Sequence, residues 1–136
     1  MYRYKTIRDY LLKDKKIEEN KLIYFMYYFE AWAQTLLGKT FLTDELEFKV
    51  INNSLEMILS EGIKEESKDE DLIFIINSVL KTYKGKSKNE LEVLIKSEYP
   101  YIKARKVNKD NIIKIEDMID YYSSISDIKV AKKLDK

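Results

Sequence analysis

The chain has 136 residues, with 25 Lys and Arg against 24 Asp and Glu and a formal net charge of +1. That is the size of one domain, long enough to bury a core without disulfides or metals, and the charge exerts no global pull toward nucleic acid or anionic membrane. Cysteine and histidine are both absent, which removes disulfide scaffolds, zinc fingers, thiol nucleophiles, histidine haem ligation and every histidine-based triad.

Paired carboxylates, a Ser and Lys, or a magnesium ion held by oxygen ligands would still be open chemistry. No residue singles itself out for it. The expectation is a protein that is not an enzyme and needs no cofactor or metal. Apolar residues make up 45% of the chain and charged ones 36%, with only three glycines and one proline. This balance suits helices, and the predicted class is an all-α single domain over residues 1–136 with six or seven helices around one buried helix.

The opening Met1, Tyr2, Arg3, Tyr4, Lys5, Thr6, Ile7 has no apolar core followed by a small-residue cleavage site. No apolar run approaches the roughly 18 to 20 residues of a membrane span. A cytoplasmic protein with no membrane partner is expected.

A first helix is predicted over residues 2–13, where Tyr4, Ile7, Tyr10 and Leu11 recur at helical spacing. A second covers 18–37 and is apolar or aromatic on nearly all sides, so it reads as the central buried helix, closed by Gly38. Residues 39–48 read as an exposed connection with a short extended piece around Phe41 and Leu42, and Thr43 or Asp44 as a cap. A third helix is predicted over 46–60, with Leu46, Val50, Ile51, Leu55, Ile58 and Leu59 inward and Gly62 at its end.

An acidic linker leads to a fourth helix over 69–83, which begins at Asp69, Glu70 and Asp71 and carries Leu72, Ile73, Ile76, Val79, Leu80 and Tyr83. Lys84 to Ser87 is turn chemistry, and Ser87 with Glu90 has the form of a capping box for a fifth helix over 88–97. Pro100 predicts an extended Tyr99, with Ala104 and Arg105 in a short irregular or single-turn element. Asp110 is predicted to cap a sixth helix with Ile112, Ile113, Ile115, Met118, Ile119 and Tyr122, and a weaker last helix covers 125–134.

Charge is unevenly placed along the chain. Glu56, Glu61, Glu65, Glu66, Asp69, Glu70 and Asp71 form an acidic stretch relieved by Lys64 and Lys68. Lys81, Lys84, Lys86, Lys88, Lys96, Lys103, Arg105, Lys106 and Lys109 form a basic one against Glu90, Glu92 and Glu98. Solvated faces account for most such runs, and a partner surface for some. Gly85, Lys86, Ser87 ends like a phosphate-binding loop but lacks its glycine-rich cradle. The acidic cluster lacks the ligand spacing and glycine of a calcium-binding loop and reads as a charged linker.

Lys21, Leu22, Tyr27, Tyr28, Ala31, Trp32, Leu36, Gly38 and Lys39 resemble the signature of the Panacea domain, the family of SocA-type and GepA-type proteins. Phe41, Leu42, Asp44, Leu46 and Glu47 continue the likeness. Leu91, Leu94, Ser97, Glu98, Pro100, Tyr101, Lys103, Ala104 and Arg105 resemble a second string of the family, and Ile112, Ile115, Ile119, Tyr121 and Tyr122 its closing helix. The family's Tyr-Gly-Pro-Val segment is replaced by Phe48, Lys49, Val50, Ile51. Its Thr-His pair is Ile95 and Lys96, and the aromatic after the proline is Tyr101 rather than Trp.

The resemblance implies a protein-binding antitoxin that neutralises a partner toxin. An inhibitor of a host defence protein, carried by a phage or mobile element, falls in the same class. A nucleic-acid-binding regulator resting on Lys81 to Lys109 is the competing reading, with modest weight because such basic patches are common. Binding energy concentrates in a few aromatic or Arg anchors. The expected partner surface is therefore Tyr99, Tyr101 and Arg105 with the turn residues Lys84, Lys86 and Lys88, while Trp32 supports the fold.

Overall fold

Every residue from Tyr24 to Ala33 is buried, including Glu30, so the helix that carries them lies at the centre of the molecule. The computed structural model describes residues 1–62 and 64–125, and the helix predicted over 125–134 falls almost wholly outside them. Among the described residues are six α-helices and a three-stranded antiparallel sheet. The all-α expectation is thus corrected to a mixed α/β fold.

Helix α1 (Tyr4–Asp9) widens into a π turn (Tyr10–Asp14) that buries Leu11, and α2 (Leu22–Leu37) follows. Gly38 closes α2 at φ 67°, a left-handed conformation that costs an L side chain energy and glycine nothing. Helix α3 (Glu70–Tyr83) starts at Asp69, whose carboxylate accepts the Asp71 and Leu72 N–H groups. Helix α4 (Lys88–Ser97) starts at the capping box of Ser87 and Glu90, as its sequence predicts. Helices α3 and α6 (Ile115–Ser124) pack on α2.

The main correction lies between residues 45 and 60. In place of a helix stand β1 (Glu45–Ile51) and β2 (Ser54–Ser60), paired from Glu45↔Ser60 to Ile51↔Ser54. The turn decides the outcome. Asn52 and Asn53 sit at φ 50° and 57°, both left-handed, as a two-residue hairpin turn of the I′ type requires. Asn tolerates this conformation better than any other residue with a side chain.

Once the chain reverses there, alternation rules: Phe48, Val50 and Leu55 are buried on one face. Ile51 and Ile58, which a helical period places inside, are 45% and 41% exposed on the other. Gly62 ends no helix; a side chain there would collide with the Thr43 carbonyl oxygen.

Two smaller corrections lie downstream. Tyr99 to Arg105 is not irregular but part of α5 (Tyr99–Lys106), with Glu98 as the extended residue before it. Pro100 is tolerated in the first turn, where its missing N–H has no intrahelical partner. Asp110 caps nothing: at φ 60° it sits in a 3₁₀ turn, and Ile112–Ile113 form β3, pairing with Phe48 and Lys49 of β1. Helix α6 starts only at Ile115, which is 46% exposed. The sheet order is β2-β1-β3.

The N-terminus is tied to the connection after α2. Tyr2 donates its N–H to Phe41 O at 3.0 Å and accepts from Thr43 N at 2.9 Å, which realises the extended piece expected near Phe41 and Leu42. Asp44 caps α1 rather than a following helix, accepting the Tyr4 N–H at 2.8 Å. Glu66 of the acidic linker accepts from Arg3 N and the Thr6 hydroxyl. Its carboxylate is thereby held below its ordinary pKa, chiefly by the Arg3 N–H.

Candidate protein-binding surface

Helix α4 presents Lys88, Glu92 and Lys96 at successive i, i+4 positions. The Glu92 carboxylate accepts Lys88 Nζ at 2.7 Å, Lys96 Nζ at 3.1 Å and the Tyr24 hydroxyl at 3.1 Å. These donors, Lys88 first and Lys96 next, hold its pKa down to about 2. Tyr24 is pushed up to about 12, mainly by burial and then by its bond to Glu92.

Tyr101 lies on the neighbouring helix α5. Its ring is 1% exposed, and its hydroxyl donates to Asn53 Oδ1 at 3.0 Å, pinning the hairpin turn to the helix. Burial raises the Tyr101 pKa, nearby Arg105 lowers it, and Glu92 raises it. The hydroxyl therefore sits in the field of both groups. Glu92 with Lys88, Lys96 and Tyr24 makes one polar cluster between α4 and α2, and Tyr101 with Asn53 makes a second contact between α5 and the hairpin.

Only part of the surface expected from sequence is brought together here. Arg105 is exposed, with no carboxylate within 4.0 Å among the described residues, and lies one helical turn from Tyr101 on α5. Lys84 is exposed at the C-terminus of α3, and half-buried Lys86 acts on Glu90 at the start of α4. Tyr101 belongs to the core, so its ring is no anchor for a partner.

Tyr99 is 46% exposed, but six positions along a helix place it well round α5 from Arg105. It lies by Lys103, whose Nζ is 5.9 Å from its ring centroid and 2.8 Å from Asp117 Oδ1. Tyr24, Glu92, Lys96 and Asn53 are not among the surface residues expected from sequence. The Lys88, Glu92, Lys96 spacing is legible there, whereas the approach of Tyr24 depends on how α2 packs on α4 and that of Asn53 on the hairpin.

A second cluster is wholly internal. Glu98 Oε1 accepts the Tyr28 hydroxyl at 2.7 Å and the Tyr122 hydroxyl at 2.9 Å, and the Tyr122 oxygen accepts the Tyr27 hydroxyl at 3.1 Å. Tyr28 stacks on Tyr83 with ring centroids 4.0 Å apart, and Tyr83 accepts the Trp32 indole N–H. Burial pushes the Tyr27, Tyr28 and Tyr122 pKa values up. These phenols act as neutral donors that bind α2, α3, α6 and the α4–α5 junction together. Trp32, 1% exposed, is a core residue as expected.

The acidic linker uses its oxygens locally: Glu66 on α1, Asp69 on α3 and on Lys39 at 2.6 Å. No helix among the described residues is long and apolar enough to cross a membrane.

The fold is that of a small mixed α/β domain. Comparison with protein-family models, curated proteins and solved structures returns no match.

Proposed function

We propose that this chain is a cytoplasmic protein-binding domain that acts as an antitoxin, neutralising a toxin partner by direct contact. The observation that carries the binding part is Arg105: exposed, without a carboxylate within 4.0 Å among the described residues, and one helical turn from Tyr101 on α5. Arg is a favoured interface anchor because its planar fork matches carboxylates. The partner face is accordingly acidic. The antitoxin part is supported by the resemblance of the Lys21 to Lys39 and Leu91 to Arg105 strings to the Panacea domain.

The test is co-expression with the product of the neighbouring gene, scoring growth for the parent, Arg105→Ala, Lys88→Ala and Tyr99→Ala. Arg105→Ala is expected to fold like the parent and lose protection, and Tyr99→Ala shows whether the contact extends round α5. Full protection by folded Arg105→Ala and Lys88→Ala overturns the assigned surface. A host defence protein captured in place of a toxin makes the chain an inhibitor. Specific binding of nucleic acid at physiological salt, read by anisotropy, replaces the whole reading with a regulator.

A further inference from the structure

The two edges of the sheet are built differently. β3 is two residues long, whereas β2 has seven and matches β1 along its whole length. In a hairpin closed by Ile51↔Ser54, the ladder bonds to β1 come from Ser54, Glu56, Ile58 and Ser60. The peptide groups of Leu55, Met57 and Leu59 therefore point away from β1. No turn or loop backbone among the described residues bonds to them.

Natural sheets protect such an edge with Lys, Pro, a bulge or a covering element. β2 reads Ser-Leu-Glu-Met-Ile-Leu-Ser, has an unbroken register, and carries one charge, Glu56, opposite Lys49.

We propose that β2 is a dimerisation edge and that its occupant is β2 of a second copy, antiparallel about Met57. The register supports this choice of partner. A twofold axis at Met57 places Leu55 opposite Leu59 of the second copy and Met57 opposite its own equivalent, so all three outward peptide groups meet outward peptide groups. On the inner face the apolar row Ile113, Phe48, Met57 continues across the seam, and it covers Met57 and Leu59, which are half-buried in one copy. On the outer face Ser54 meets Ser60, and Glu56 meets Ile58, so no like charges stand directly opposite. A net charge of +1 offers little resistance to self-association, and an isologous pair of edges closes without leaving either strand open.

The experiment measures the dimer dissociation constant of the full chain by sedimentation equilibrium, for the parent, Ile58→Glu and Ile58→Lys. Ile58 is 41% exposed, so both variants keep the core, which thermal melts verify. Ile58→Glu sets a carboxylate opposite Glu56 at both ends of the seam and is expected to weaken the dimer about tenfold. Ile58→Lys sets an ammonium there and is expected to tighten it several-fold.

Amide exchange gives a second reading, with protection at Leu55, Met57 and Leu59 rising with protein concentration. A parent that stays monomeric at about 0.1 mM overturns the proposal, and so does a dimer whose constant is the same in both variants. Protection of these amides that does not vary with concentration, or that appears only when another protein is added, overturns it as well.

Discussion

The Tyr28 hydroxyl donates to Glu98 Oε1 at 2.7 Å, joining residues 70 apart in the chain. Glu98 also holds Tyr122 at 2.9 Å. Losing this acceptor leaves two buried phenols short of a partner, at about 1–3 kcal/mol each. Glu98→Ala is expected to lower stability by about 2–6 kcal/mol, and Tyr28→Phe by about 1 kcal/mol because Tyr122 still occupies the carboxylate. Denaturant titration checks both, and equal losses would show that Tyr28 alone uses Glu98.

Acid should weaken the fold through Glu92. Its pKa is lowered to about 2 by Lys88, Lys96 and Tyr24, so its contribution is present above the ordinary carboxylate range and is lost as pH falls toward 2. Asp69, lowered mainly by Lys39, acts with the same sign. Buried Glu30 acts with the opposite sign, because burial raises its pKa. Stability measured from pH 6 down to pH 2 is expected to fall, and to fall less steeply in Glu92→Gln. An unchanged slope in that variant would assign the acid sensitivity elsewhere.

The hairpin turn offers a coupled test. Asn53→Gly relieves a left-handed backbone but removes the acceptor of the Tyr101 hydroxyl. The two effects are each about 1 kcal/mol, so the variant is expected to be near neutral. Tyr101→Phe should cost about 1 kcal/mol in the parent and close to nothing beside Asn53→Gly. Asn52→Ala, with no compensation, is expected to lose about 1 kcal/mol.

Trp32 and Tyr99 should separate fold from surface. Trp32→Ala empties a fully packed site and removes the donor to Tyr83, for an expected loss of about 3–5 kcal/mol. Tyr99→Ala, at a 46% exposed position, should stay within about 0.5 kcal/mol of the parent. Thermal melting of both decides the matter. A stable Trp32→Ala chain that fails to protect cells would make α2 itself the binding face.

The sequence by itself determined the helices whose start signals are local. Asp69 and the Ser87–Glu90 box satisfy the free N–H groups of α3 and α4 within a few residues, and Gly38 closes α2 by its own backbone freedom. It also marked α2 as central, because a helix apolar on all sides has nowhere else to go.

Tertiary structure decided residues 110–115, and at 45–60 it acted together with the local turn preference of Asn52 and Asn53. There the apolar residues satisfy both a period of 3.6 and a period of 2, and pattern cannot choose between them. The choice fell to Asn52 and Asn53 reversing the chain, to Tyr101 holding that turn from α5, and to Ile112 and Ile113 pairing with β1. Tyr101 followed the same logic. Its aromatic ring on a short segment marks an anchor in sequence, but whether that anchor faces a partner or the core depends on a hairpin tip 48 residues away.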